Sequence, residues 1–162
     1  MKNFMICFVV GFFLIQSFGV FAQTTEITPP KVSPNVEKVL NTYLEALTSS
    51  ATVGDAATKI LPIAGGHLIA QSGNAIADDV IQFSLKKDHQ NAHFYQSPAK
   101  ITRVQKIEND YDGYGVTLIE GTTFKIWVAK KEGVAGMPAP VRIIVPKNDP
   151  SHPKVISNIG SL

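Results

Sequence analysis

The hydrophobic period of this chain changes once, near Ala99, and that change constrains the fold more than any other feature. Before it, apolar residues recur at spacings of three and four; after it, they alternate. Val36, Val39, Leu40, Tyr43 and Leu47 make one stripe of an amphipathic helix. Ser33-Pro34 supplies its cap and first-turn proline, and Thr48-Ser49-Ser50 ends it. A second helix is predicted from Thr52, whose spacing to Asp55 suits a capping box. Val53, Ala57, Ile60, Leu61 and Ala64 form its buried face. Pro62 kinks or ends it, and Gly65-Gly66 stops it. His67 to Ala70 reads as a short strand. A third helix opens at Asp78-Asp79, with Gln82 at capping-box spacing from Asp79 and Val80, Ile81, Phe83 and Leu85 on its apolar side. It fades near His89 or Gln90.

Beyond Ala99, Phe124, Ile126 and Val128 alternate with Lys125, Trp127 and Ala129. Val141, Ile143 and Val145 repeat the pattern, as do Val155, Ser157 and Ile159. Ile101 to Ile107 and Tyr114 to Ile119 are rougher versions. Asn109 to Gly113, Gly133 to Pro140 and Asn148 to Pro153 are turn sequences. Short connections between successive strands imply an antiparallel meander. Gly121, between two strand-like runs, suggests a bulge or bend. The expected class is therefore α+β: three N-terminal helices packed on a bent, cone-like antiparallel sheet of four to six strands.

The first residues carry a different signal. Met1-Lys2-Asn3 is followed by a mostly apolar stretch and then Val20-Phe21-Ala22, with small residues at the positions a signal peptidase reads. Residues 1–22 are expected to be a signal peptide, 23–33 a flexible leader and 34–162 one domain. The destination is the periplasm or the exterior, with no stable membrane anchor after cleavage. Cys7 is the only cysteine and lies inside the apolar stretch, while Gln23 stands where a lipoprotein would need one. The exported domain is thus expected to use no disulfide, although its compartment permits them. Its roughly 140 residues suffice for a core without staples. Fifteen basic and 13 acidic residues leave the chain near neutral, so no electrostatic footprint for nucleic acid is present.

The element order, the long strand interrupted at Gly121 and the terminal segment Pro153 to Leu162 resemble the nuclear-transport-factor-2-like superfamily. The resemblance spans roughly Asn35 to Leu162. It implies a pocket between helices and concave sheet, and frequent homodimers through the sheet. Isomerase members place a tyrosine and two carboxylic acids in that pocket. Tyr43 lies on the first helix as such a tyrosine does. No acids match the other two roles, because Asp78 and Asp79 read as helix caps and Asp110 and Asp112 as turn residues.

The remaining candidates are few. His89 and His93 have a helical metal-ligand spacing without a third ligand, so no metal site is expected. Glu108 to Gly113 has part of a calcium-loop pattern, but Ile119 stands where the closing glutamate belongs; a hairpin turn is the simpler expectation. No nucleophile motif, cofactor motif or polyanion-binding run is present. The expected function is a non-catalytic exported module that holds a small apolar ligand or a protein partner, in the cone or on the open sheet face. Tyr43, His67, Phe83, Trp127 and Arg142 are its candidate binding residues. The alternative is an isomerase, dehydratase or cyclase in which Tyr43 donates a hydrogen bond and His67 carries a proton. That alternative needs both side chains in one cavity.

Overall fold

The computed structural model describes residues 31–157 and 159–162. The expected signal peptide and residues 23–30 of the leader lie outside the described residues. Val32, at the end of the expected leader, is buried against the core.

Helix α1, Pro34–Thr48, starts with proline in its first turn. The missing N–H is harmless there, because first-turn donors have no intrahelical partner. The expected stripe is buried, joined by Leu44 and Ala46. Helix α2, Val53–Ile60, opens on the expected capping box: Asp55 N donates to Thr52 Oγ1 at 3.1 Å, and Thr52 N donates to an Asp55 carboxylate oxygen at 3.2 Å. Pro62 falls in the 3-10 turn Leu61–Ile63 that ends the helix.

The third helical region departs from the expected pattern in an informative way. A π-helical turn, Val80–Leu85, runs directly into α3, Lys86–Asn91. The extra residue of a π turn rotates the buried face. Leu85 and Asp88 therefore turn inward, while Phe83 is 71% exposed. Asp79 is itself helical and caps nothing with its side chain. His67 to Ala70 is not a strand; Gly66–Leu68 is a 3-10 turn, and Ile69 makes only an isolated bridge to Ile76.

The sheet is an open antiparallel meander in the order β1-β2-β3-β4: Ile101–Asp112, Ile119–Val128, Ala139–Pro146 and Lys154–Val155. With the three helices this gives the expected α+β class. The turn expected at Asn109 to Gly113 lies instead inside β1, which continues to Asp112. The run Tyr114 to Ile119, expected as a strand, holds the 3-10 turn Gly115–Thr117. Gly121 sits in an unbroken β2, and the bulge is opposite it: Ile107 pairs with Thr123 but Asp110 with Gly121. Asn109 takes φ 53° there. Gly121 is required for a separate reason, since a Cβ at this position would run into the Val145 carbonyl of β3. The last expected strand shrinks to two residues; the chain then leaves the sheet and ends against α3.

Pairing register separates the two faces of the sheet. Ile126, Val128, Val141, Ile143 and Val155 are buried with α1 and α2 in one apolar cluster. Arg103, Lys125, Trp127 and Arg142 occupy the opposite face by alternation.

Candidate functional site

Among the described residues two carboxylates are buried, Asp88 and Asp112, and the polar chemistry of the molecule collects around them. Burying a carboxylate is unfavourable unless donors surround it. Each of these has them, but the two arrangements differ in what they leave open to solvent.

Asp88 is held in the interior. Tyr43 Oη donates to its Oδ2 at 2.6 Å, and the Leu162 backbone N–H donates to Oδ1 at 2.9 Å. Burial raises the Asp88 pKa, opposed by hydrogen bonds from Tyr43, Gly160 and Leu162 and by the Lys87 charge. Burial, then the neighbouring Asp88 charge, pushes the Tyr43 phenol well above its ordinary range. Tyr43 has no solvent exposure. Where the resemblance implies an open cone with a tyrosine at its base, Tyr43 is instead enclosed and its hydroxyl is engaged by the protein's own carboxylate. It fastens α1 to α3 and, through Leu162, to the C-terminal segment. Asn91 Nδ2 adds a bond to the Leu162 carbonyl at 2.8 Å.

Asp112 is buried too, but its partner reaches solvent. Its Oδ1 accepts the His67 backbone N–H at 2.7 Å, and Ser157 Oγ donates to Oδ2. Gly66, immediately before His67, has φ +60°, and a Cβ there would collide with the Asp112 carboxylate. Only glycine lets the backbone come this close. Gly113, after Asp112, has φ +85° and donates its N–H to His67 Nδ1 at 3.0 Å. That bond places the lone pair of the neutral ring on Nδ1, so the outward Nε2 carries the proton. Asp112 Oδ1 lies 3.2 Å from the same Nδ1.

The His67 side chain is 53% exposed and stands at the wall of a cleft of about 290 Å³. Gln71, Asp79, Ser84, Tyr114 and Ser157 supply the other polar groups, and Ile69, Val80 and Ile159 part of the apolar wall. The Tyr114 ring lies 5.6 Å from the imidazole, centroid to centroid. Two larger grooves, of about 520 and 620 Å³, run along the far ends of β2 and β3. Their walls are largely strand ends and turn residues such as Glu120, Lys147 and Pro150. Among the described residues no buried carboxylate orients a side chain toward either, as Asp112 does in the smaller cleft.

The structure brings two of the five candidate residues into one network. Arg142 donates to Asp110 at 2.9 Å and reaches Ser157 Oγ at 3.5 Å, and Ser157 joins Asp112 and His67. By register this ion pair spans the Thr123–Ile144 rung, and both of those residues are fully buried. Tyr43 and His67 do not share a cleft: Tyr43 has no exposed surface and pairs with Asp88, whereas His67 faces solvent. Phe83 points outward from the π turn and lines no part of the cleft. Trp127 lies on the sheet face opposite the helices, partly buried beneath the Arg103 guanidinium at 3.5 Å from the ring centroid. His89 and His93 are also apart in function: His89 Nε2 meets the Ser50 carbonyl at 3.0 Å, and His93 packs on Phe94. Among the described residues no group of three or more His, Cys, Asp or Glu could hold a metal, and no helix is long and apolar enough to cross a membrane.

Sequence reasoning missed both carboxylates. Asp112 looked like a turn residue because Asn109 to Gly113 has turn composition. Asp88 lay among charged residues of a fading helix. The usable signal was the pair of glycines, Gly66 and Gly113, that flank His67 and Asp112. No family model, no curated protein and no solved structure matches the chain.

Proposed function

We propose that this chain is an exported, non-catalytic binding module of the nuclear-transport-factor-2-like kind, and that the His67 cleft is its ligand site. The observation that carries the reading is the fixed imidazole: Asp112 and Gly113 hold its inner side, and the ring stands in a cleft whose open surface is mainly polar, with Gln71, Asp79, Ser84 and Ser157 beside Tyr114. Such a site suits a small polar molecule with a hydrogen-bond acceptor for His67 and a flat portion for Tyr114, rather than the mainly apolar ligand expected from the sequence. The cleft volume of about 290 Å³ restricts it to a small ligand.

A proton-transfer enzyme is supported less well. General-base chemistry needs a lone pair facing the substrate, and the neutral His67 ring turns its lone pair toward Gly113. Tyr43, the expected donor, spends its hydroxyl on Asp88.

Native mass spectrometry of the protein recovered gently from the exported fraction tests this reading. A reproducible extra mass is expected, released on denaturation and lost in His67→Ala but retained in Trp127→Ala. A bare wild-type protein, or an adduct indifferent to His67, overturns the assignment.

A further inference from the structure

On the sheet face turned away from the helices, Arg103 of β1 is the register partner of Trp127 of β2, and Lys125 lies two residues along. The Arg103 guanidinium stacks 3.5 Å above the indole centroid, and Lys125 Nζ lies 5.1 Å from it. Arg142 shares this face but is neutralised by Asp110. Among the described residues neither Arg103 nor Lys125 has a carboxylate within ion-pair distance. A guanidinium flattened on an aromatic ring has lost much of its rotamer freedom while its edge donors remain outward. It is pre-organised to take an oxyanion in the two-pronged manner that suits carboxylates.

Beside this pair is an unpaired backbone edge. β1 ends the sheet order, and among the described residues it pairs with β2 alone. From Arg103 to Ile107, between the two register irregularities of β1, its outer N–H and C=O groups have the spacing that another extended chain requires. Lys106 is held by Glu108 at 2.7 Å, so the uncompensated positive charge beside this edge is that of Arg103 and Lys125. An acidic segment would meet opposite charge and gain the main-chain bonds. A polysaccharide or lipid headgroup could supply the anion but not the ladder of backbone donors and acceptors.

We propose that the Arg103–Trp127–Lys125 corner binds an acidic protein segment laid as an extra strand along the open edge of β1. This site is separate from the His67 cleft, so either assignment can fail alone.

Trp127 is the only tryptophan, so its emission reports on this corner directly. The exported protein is titrated with hexaglutamate at low salt, followed by fluorescence and by calorimetry. Saturable binding is expected that weakens with salt, with no comparable response to hexaglutamine. Arg103→Ala weakens binding by about tenfold or more, Arg103→Lys by less, and the Lys86→Ala/Lys87→Ala control leaves it unchanged. Hexaglutamate N-methylated at alternate residues keeps the charge but loses edge donors, and it fails to bind. Circular dichroism confirms that each variant folds. Equal binding by hexaglutamine, by the methylated peptide or by Arg103→Ala overturns the proposal. So does a response to phosphatidylglycerol vesicles or polygalacturonate in place of the peptide, or self-association abolished by Arg103→Ala.

Discussion

Tyr43 and Asp88 form a buried pair, hydroxyl to carboxylate at 2.6 Å, between the first and last helices of the domain. The tyrosine sits on an apolar stripe of α1, where its ring fills core and its hydroxyl still needs an acceptor. Only the inward turn of α3 after the π segment supplies one. Tyr43→Phe keeps the ring but leaves Asp88 Oδ2 without that donor. It should lower unfolding stability by about 2 kcal/mol, seen as a lower urea midpoint at unchanged slope. A midpoint within error of wild type would show that the pair contributes nothing net.

Asp88 also sets a pH dependence. Its folded pKa is raised above the ordinary aspartate value of 3.8, chiefly by burial. The folded state therefore holds this proton more tightly than the unfolded chain does. Asp88's contribution is greatest below 3.8 and is lost as pH rises through its folded pKa. Asp88→Asn cannot titrate. The stability of wild type minus that of Asp88→Asn should increase as pH is lowered from neutral toward 3.8. Urea midpoints at several pH values measure the difference, and a flat or opposite trend would contradict it.

At Gly66 the strain and the site coincide. Gly66→Ala forces a side chain into a left-handed backbone and against Asp112. The His67 turn must move, at a cost of about 1–3 kcal/mol. The variant should remain folded, but the extra mass expected in native spectra of the wild type should be absent. Retention of that mass at wild-type occupancy would separate the glycine geometry from binding.

A different kind of closeness governs Gly121. Its backbone is extended, yet the Val145 carbonyl of β3 occupies the space of a Cβ. Gly121→Ala should spread β2 from β3 and cost about 2–3 kcal/mol, with amide exchange accelerating in both strands. Protection factors equal to wild type would mean that the sheet absorbs the methyl group without separating.

Local pattern determined much of this protein. The stripe from Val36 to Leu47 fixed α1, Thr52 with Asp55 fixed the start of α2, and the alternation at Phe124 to Val128 and Val141 to Val145 placed β2 and β3. Each of these signals needs only neighbours along the chain. Three features did not follow from such signals. Asn109 to Asp112 have turn composition but continue β1, because pairing across the bulge with Gly121 and Ile119 outweighs local preference. Phe83, expected on the apolar side of the third helix, is exposed and Asp88 is buried because one π turn shifts the buried face of a helix, and the apolar pattern does not announce that shift. The His67–Asp112 pair depends on residues 45 apart in sequence. Their meeting follows from where the Gly66 turn lies against the end of β1, a contact between distant elements that no periodicity encodes. Sequence alone determined the class of fold, because burial of an apolar face is a local instruction. The tertiary structure decided which polar groups remain available, because a buried carboxylate takes its partners from wherever packing brings them.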